Sequence, residues 1–364
     1  QIPNPQFDKN EKVKICEKNI IVLFWLIKLK KMEKWMSKIR DSKKLILMNI
    51  PATHDSAAYC MNRISFDWAK CQDLTITQQL EIGIRNFDIR IIQDHNDISQ
   101  DDDIICCHGI CDCYISPNFG DNRKITYKSI LLDIKRFLEE NPSETVLIGT
   151  YRGRGSNFNV FIWAYQIFHE YVGNISITYR PDLTLKEVRG KIINYTLIES
   201  ELDKDKKRIV GARGKNILQS TGIGDVHKKY QNCATFKTNG NIKIREMKDM
   251  FDIYNMTLEE AEIKEKNKVM TFPISYSISC TGEYDNCLPN PLNQAIIVHS
   301  FIQRENVFKK GYYYGWLNMD FANINTTSKL INSNFTNWLF NITIKIYIIF
   351  YNNFNQLFNY IVSL

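Results

Sequence analysis

The chain has 364 residues, 44% hydrophobic and 24% charged, with a formal net charge of +7. That composition is globular, and the length suits one large domain or two ordinary ones. The positive charge is spread out, with no basic stripe interleaved with aromatics, which speaks against a nucleic-acid partner and leaves an anionic lipid open.

In chain order, IIVLFWLI at residues 20 to 27 is far shorter than the roughly 20 apolar residues that span a bilayer. Lys12, Lys14 and Lys18 precede it, as in a signal peptide, but KLKKMEKW follows where small residues would mark a cleavage site. We set residues 1–30 apart as an N-terminal segment, and the opening Gln1 leaves the true start of the chain open.

Short apolar runs then recur at LILMNI (45–50), IRNFDIRI (84–91), IICC (104–107), TVLIGTY (145–151), KIINYTLI (191–198), VMTFPISY (269–276), AIIVHSF (295–301) and YYYGWLNM (312–319), each read as a strand. Helical patterns lie between several of them. In KSILLDIKRFLEENP, Ile130, Leu131, Ile134, Phe137 and Leu138 share one face, and Asn141-Pro142 ends the helix. FNVFIWAYQIFHEYV reads as a second, more buried helix, and Thr184 and Glu187 have capping-box spacing for a short third. Such alternation predicts an α/β domain, doubly wound or a (β/α) barrel, over residues 31–330. The stretch 331–364, with eight asparagines and one charged residue, Lys345, is set outside that domain as a tail.

Ten cysteines suggest an oxidising compartment. Cys280 and Cys287 bracket a loop that a disulfide could close, and Cys60 and Cys71 flank another. Six N-x-[ST] sequons, at Asn174, Asn194, Asn255, Asn325, Asn334 and Asn341, lean the same way. A secreted or peripheral membrane protein is the expectation.

Five of the apolar runs carry or lead into polar groups. LILMNI precedes His54-Asp55, NFDIR puts Asp88 and Arg90 on one strand face, and IICC precedes His108. TVLIGTY precedes Arg152, and WLNM precedes Asp320. In a (β/α) barrel, strand C-terminal ends meet at one mouth, where active sites are built. Two histidines oriented by carboxylates suit general base and acid work on a phosphodiester, and an arginine would neutralise transition-state charge on the phosphoryl oxygens. No protein nucleophile is needed if the substrate carries its own neighbouring hydroxyl.

WMSKIRDSKKLILMNIPATHDSAAY, then TQQLEIGIRNFDIRI, CCHG and FLEENPSETVLI, resembles the X-domain of phosphatidylinositol-specific phospholipase C, nearest the bacterial-type single-domain enzymes. The likeness is dense from Trp35 to Arg152 and reappears at LNMDFANI. It implies a distorted (β/α)8 TIM-type barrel and a monomeric enzyme without cofactor. The implied reaction cleaves phosphoinositide or glycosyl-phosphoinositide lipids at a membrane surface to diacylglycerol and a cyclic inositol phosphate. By the resemblance, His54 is the general base for the inositol 2-hydroxyl and Asp320 its carboxylate. His108 is the general acid with Asp55 as partner, and Arg90 binds the phosphate. Arg152 and Asp88 are added as substrate-binding residues. The calcium-dependent branch carries acidic ligands where this chain has Arg90, so no catalytic metal is expected.

Two other readings stay open: another barrel phosphodiesterase, such as a glycerophosphodiesterase, or a catalytically weak domain that binds lipid head groups. CCHGICDC could be a metal or disulfide knot, although its spacing is not C-x2-C. His95, His169, His227 and His299 read as solvated or core histidines. Ala52 and Ile91 replace small residues usual in the family, so the backbone at Ala52 must avoid positive φ. The basic residues that grip inositol are missing from KIINYTLIES, which offers only Thr196 and Glu199, with Arg152 or Arg154 to compensate.

Overall fold

A computed structural model describes residues 32–61, 69–94, 103–109, 111–116, 121–153, 160–196, 256–267, 275–277 and 291–335. The strands are β1 (Ile50–Thr53), β2 (Asn86–Gln93), β3 (Ile104–His108), β4 (Cys111–Asp112), β5 (Val146–Arg152), β6 (Ile192–Asn194), β7 (Ser275–Ser277) and β8 (Trp316–Met319). The helices are α1 (Ile76–Glu81), α2 (Tyr127–Glu140), α3 (Val160–Val172), α4 (Leu185–Val188), α5 (Leu258–Lys266), α6 (Pro291–Glu305) and α7 (Ile324–Ser333).

Among the described residues, six strands run parallel in the order β6-β5-β2-β1-β8-β7, with helices between them in the chain. The architecture is a distorted TIM-type barrel. The distortion centres on β2. Its first residues pair with β1, but its last three, Ile91 to Gln93, pair with antiparallel β3. This hairpin extends past the end of β1, and β3 brings the chain back toward the mouth. His108 therefore reaches the mouth on a returning strand, not at the top of a barrel strand as the apolar run IICC suggested.

The amphipathic helix falls where its periodicity puts it: Ile130, Leu131, Ile134, Phe137 and Leu138 of α2 are all buried. Thr184 and Glu187 form the expected capping box at the start of α4. Two apolar runs behave otherwise. In LILMNI, residues Leu45–Leu47 form a 3-10 turn, and the strand begins only at Ile50 and continues through Pro51 to Thr53. Pro51 is tolerated because its missing N–H faces β2 before pairing there begins at Ala52. AIIVHSF is part of helix α6. A seven-residue apolar run does not distinguish strand from helix, and here Pro291 at the first helical position starts a long helix. The boundary set at residue 330 falls inside α7, whose Leu330, Ile331 and Ser333 are buried. Asn334 then accepts from the Asn49 backbone N–H at 2.8 Å, so packing continues to the end of the helix.

The barrel floor is sealed by Arg85 and Glu144, both fully buried and 2.9 Å apart. Arg85 Nε donates to Glu144 at 3.0 Å, and its Nη1 donates to the carbonyls of Leu80 and Ile84. Glu144 accepts from the backbone N–H groups of Met36 and Ser37, which fastens the N-terminal turn across the bottom. Glu144→Ala would leave a buried guanidinium unpaired, which costs about 3–5 kcal/mol. We expect urea denaturation to show that loss, with Arg85→Met/Glu144→Leu recovering most of it. A loss near zero in the single variant would contradict this role.

Candidate active site

Strand register builds the site in tiers. Ala52 lies opposite both Asn86 and Asn318, and Asn86 opposite Leu147. Two residues further along each chain, on the same face, come His54, Asp88, Asp320 and Gly149. The tier above holds Arg90 paired with Tyr151. The intervening residues Phe87, Ile89 and Ile91 are buried on the outer face of β2. Gly149 makes room in the inner tier, because a Cβ there would lie 2.5 Å from Tyr195 Oη and 2.7 Å from the Tyr151 ring.

The structure brings His54, Asp55, Asp88, Arg90, His108 and Asp320 together. His54 Nδ1 lies 2.9 Å from Asp320 Oδ1. Arg90 Nη2 lies 2.9 Å from His54 Nε2, and a guanidinium can only donate. In the neutral ring, Nδ1–H therefore donates to Asp320 and Nε2 keeps its lone pair, the tautomer required of a base acting through Nε2. His108 Nδ1 donates to the Ala69 carbonyl at 2.6 Å, which turns its Nε2 inward. The two imidazole centroids are 6.4 Å apart.

Asp55 stands between them. Its Oδ2 is 3.3 Å from His54 Nε2 and 3.2 Å from His108 Nε2, while Oδ1 is 2.5 Å from Arg90 Nε. The sequence reading gave Asp55 to His108 alone; in the structure it touches all three. Burial favours the neutral carboxyl, but Arg90, then His54 and His108, outweigh it and hold the Asp55 pKa below its ordinary value. Asp88 is different: burial pushes its pKa up, with Arg90 opposing and Asp55 adding. Its Oδ2 accepts from the Asp55 backbone N–H at 3.3 Å and lies 3.6 Å from Arg90 Nη2.

Arg152 is not part of this group. It pairs with Ile91, which puts it on the outer sheet face, opposite to Arg90 and Tyr151, because strand residues alternate. Arg154, Glu199, His95, His227, Cys280 and Cys287 lie outside the described residues. His299 is a core histidine, with Nδ1 on Thr326 Oγ1 and Nε2 on the Asp320 carbonyl, both at 2.9 Å. His169 lies in the last turn of α3. Ala52 has no positive φ; the left-handed residues nearby are Asp55 at φ 42 and Phe321 at φ 47.

Cys60 and Cys71, read from the sequence as flanking a loop, do not pair: both thiols are free and buried. Cys71 Sγ is directed at His108 Nδ1, 3.6 Å away. Cys106, Cys107, Cys111 and Cys113 are also free thiols, so CCHGICDC is no disulfide knot. His54, Asp55 and Cys71 do offer three donor atoms within 4.8 Å of one another. Arg90 already contacts two of these residues, and its fixed positive charge opposes a divalent ion there. Sequence reasoning missed the segment from Ala69 to Gln72, which holds both histidines; no periodicity marks it.

For His54, burial alone would lower the pKa, but Asp55 and then Asp320 overcome it and raise the value from 6.5 to about 9. A raised folded-state pKa stabilises the fold most below about 6.5, and that contribution fades as pH rises through about 9. Removing the Asp55 charge disfavours the imidazolium. By NMR titration of His54, we expect a midpoint near 9 in the wild type and one lower by about 1–3 units in Asp55→Asn. An unshifted midpoint would contradict the pairing.

No protein-family model matches the chain. It is 26% identical over 325 residues to a 1-phosphatidylinositol phosphodiesterase of Staphylococcus aureus, covering 83% of this chain and 94% of that protein. A 1-phosphatidylinositol phosphodiesterase of Listeria monocytogenes is 29% identical over 189 residues, half of this chain and 52% of its own. A solved phosphatidylinositol-specific phospholipase C from S. aureus superimposes with a TM-score of 0.58 at 23% identity, covering 85% of this chain and 99% of its own. With ordered motifs around His54, Arg90, His108 and Asp320 on a barrel of the same fold, the chain is similar to these bacterial phosphatidylinositol-specific enzymes.

Proposed function

We propose that this protein is a phosphodiesterase of the phosphatidylinositol phospholipase C type, cleaving inositol lipids at a membrane surface without a metal ion. The observation that carries this reading is the arrangement of two imidazole Nε2 atoms around one carboxylate oxygen, with a guanidinium beside them. A phosphodiester seated there would have a proton acceptor on one flank and a proton donor on the other. The substrate class comes from the relatives, which are 1-phosphatidylinositol phosphodiesterases.

In the proposed reaction His54 Nε2 takes the proton of the inositol 2-hydroxyl, whose oxygen attacks phosphorus. Asp320 holds the ring in the Nδ1–H tautomer and stabilises the imidazolium that forms. Arg90, part exposed beside His54, offsets negative charge on the phosphoryl oxygens. The bond from phosphorus to the glycerol oxygen breaks, and His108 Nε2–H protonates that oxygen to give diacylglycerol and the cyclic phosphate. Asp55 Oδ2, 3.2 Å from His108 Nε2, orients the ring for this step. An internal nucleophile also places much of the entropic cost in substrate binding. We further propose a secreted or peripheral location, where the enzyme would meet its substrate at a bilayer, and a monomeric state.

His54→Ala should lower kcat on phosphatidylinositol vesicles by at least about 10²-fold while vesicle binding persists. His108→Ala should be comparably impaired on the lipid, yet largely restored on an inositol phosphodiester whose leaving group departs as a stable anion. His54→Ala should gain nothing from that substrate. Wild-type rates in His54→Ala would remove the acid–base reading.

A further inference from the structure

Beyond the last hydrogen bond of the β1–β8 pair, from His54 N–H to the Met319 carbonyl at 3.1 Å, the two chains part. Each turns through a left-handed residue, Asp55 at φ 42 and Phe321 at φ 47. Non-glycine residues hold that conformation only where surrounding contacts fix it. The catalytic pair also depends on these ends, because His54 directly follows β1 and Asp320 directly follows β8. At this point the carbonyl of His54 has no strand partner, and a buried unpaired carbonyl is costly.

Gln72 fills the gap. It is 1% exposed. Its Nε2 donates to the His54 carbonyl and to the Met319 carbonyl, both at 2.8 Å. Its Oε1 accepts from the Ala322 N–H at 3.2 Å. One carboxamide thus bonds to the residue carrying the imidazole and to residues on both sides of Asp320. The backbone around it adds support: the Cys71 carbonyl accepts from Phe321 N–H at 2.7 Å. The N–H groups of Cys71 and Gln72 donate to the Ala58 carbonyl at 2.9 and 3.1 Å. The same strap supplies Ala69, whose carbonyl orients His108.

We infer that Gln72 is a positioning residue whose carboxamide ties the end of β1 to the end of β8 and so sets the contact between His54 and Asp320. This rests on the acid–base reading above and extends it to a residue that touches no reacting atom. A methionine at this position would fill similar space with no donor, and a protonated glutamic acid would offer one donor in place of two. In either case the ends of the two strands are free to separate, and an error of about 1 Å at the base is enough to cost on the order of 10²-fold in rate.

The test uses the full chain as wild type, Gln72→Met and Gln72→Glu, with two readouts. In the first, NMR follows His54 through a pH titration without substrate. With Asp320 no longer held close, the midpoint in Gln72→Met should fall below the wild-type value, and the low-field Nδ1 proton should weaken. In the second, kcat should fall by about 10²-fold with KM little changed, since no substrate contact is lost. Gln72→Glu should lie between the two in both readouts, and it carries the test if Gln72→Met does not fold. A folded variant that keeps the wild-type titration and Nδ1 signal, even if less heat-stable, would overturn the inference and leave Gln72 a packing residue. If the wild type does not turn over phosphatidylinositol, the functional reading fails, while the titration still decides the role of Gln72.

Discussion

One buried carboxylate organises the mouth of this barrel. The Asp55 side chain is sealed from solvent, a costly place for an anion unless cations or donors surround it. Arg90, His54 and His108 supply them, each within 3.3 Å of one oxygen or the other. Because these partners come from separate elements, satisfying that one charge draws the end of β1, the middle of β2 and the returning strand β3 to one point. The same charge raises the proton affinity of His54, so a structural necessity and a chemical property share one cause.

The barrel makes this convergence repeatable. Parallel register fixes which residues share a tier, and the tier holding His54, Asp88 and Asp320 follows from the pairing of Ala52 with Asn86 and Asn318. A slip of one residue in β2 would turn Asp88 and Arg90 outward and bring Phe87 and Ile89 into the mouth. The long β2–β3 hairpin adds what a regular barrel lacks, a group that approaches from above the rim. Rigid strands thus place the base and the guanidinium, and a hairpin held by the Ala69 carbonyl places the acid.

Much of this was legible in the sequence because polar residues within or just after apolar runs are costly and therefore informative. The i, i+2 spacing in NFDIR gave the shared face of Asp88 and Arg90, and the ends of the runs gave His54, His108 and Asp320. The same rule misled at Arg152: counting from the end of a run does not reveal parity, and an odd step turned the side chain outward. AIIVHSF carried no periodicity that separates a strand from a helix. Cys60 and Cys71 invited pairing because loop length looks the same whether or not the thiols face each other, and here Cys71 faces His108. Gln72 was invisible for another reason: its partners are backbone carbonyls some 18 and 247 residues away, which no local pattern encodes.

The most direct measurement is phosphorus NMR of the purified protein acting on phosphatidylinositol vesicles in excess chelator. Attack by the neighbouring hydroxyl, with protons moved by side chains alone, should give a cyclic inositol phosphate as the first phosphorus-containing product at an undiminished rate. Turnover that stops in chelator and returns with calcium, or an acyclic phosphate monoester appearing first, would contradict the metal-free pairing of His54 and His108 around one phosphate.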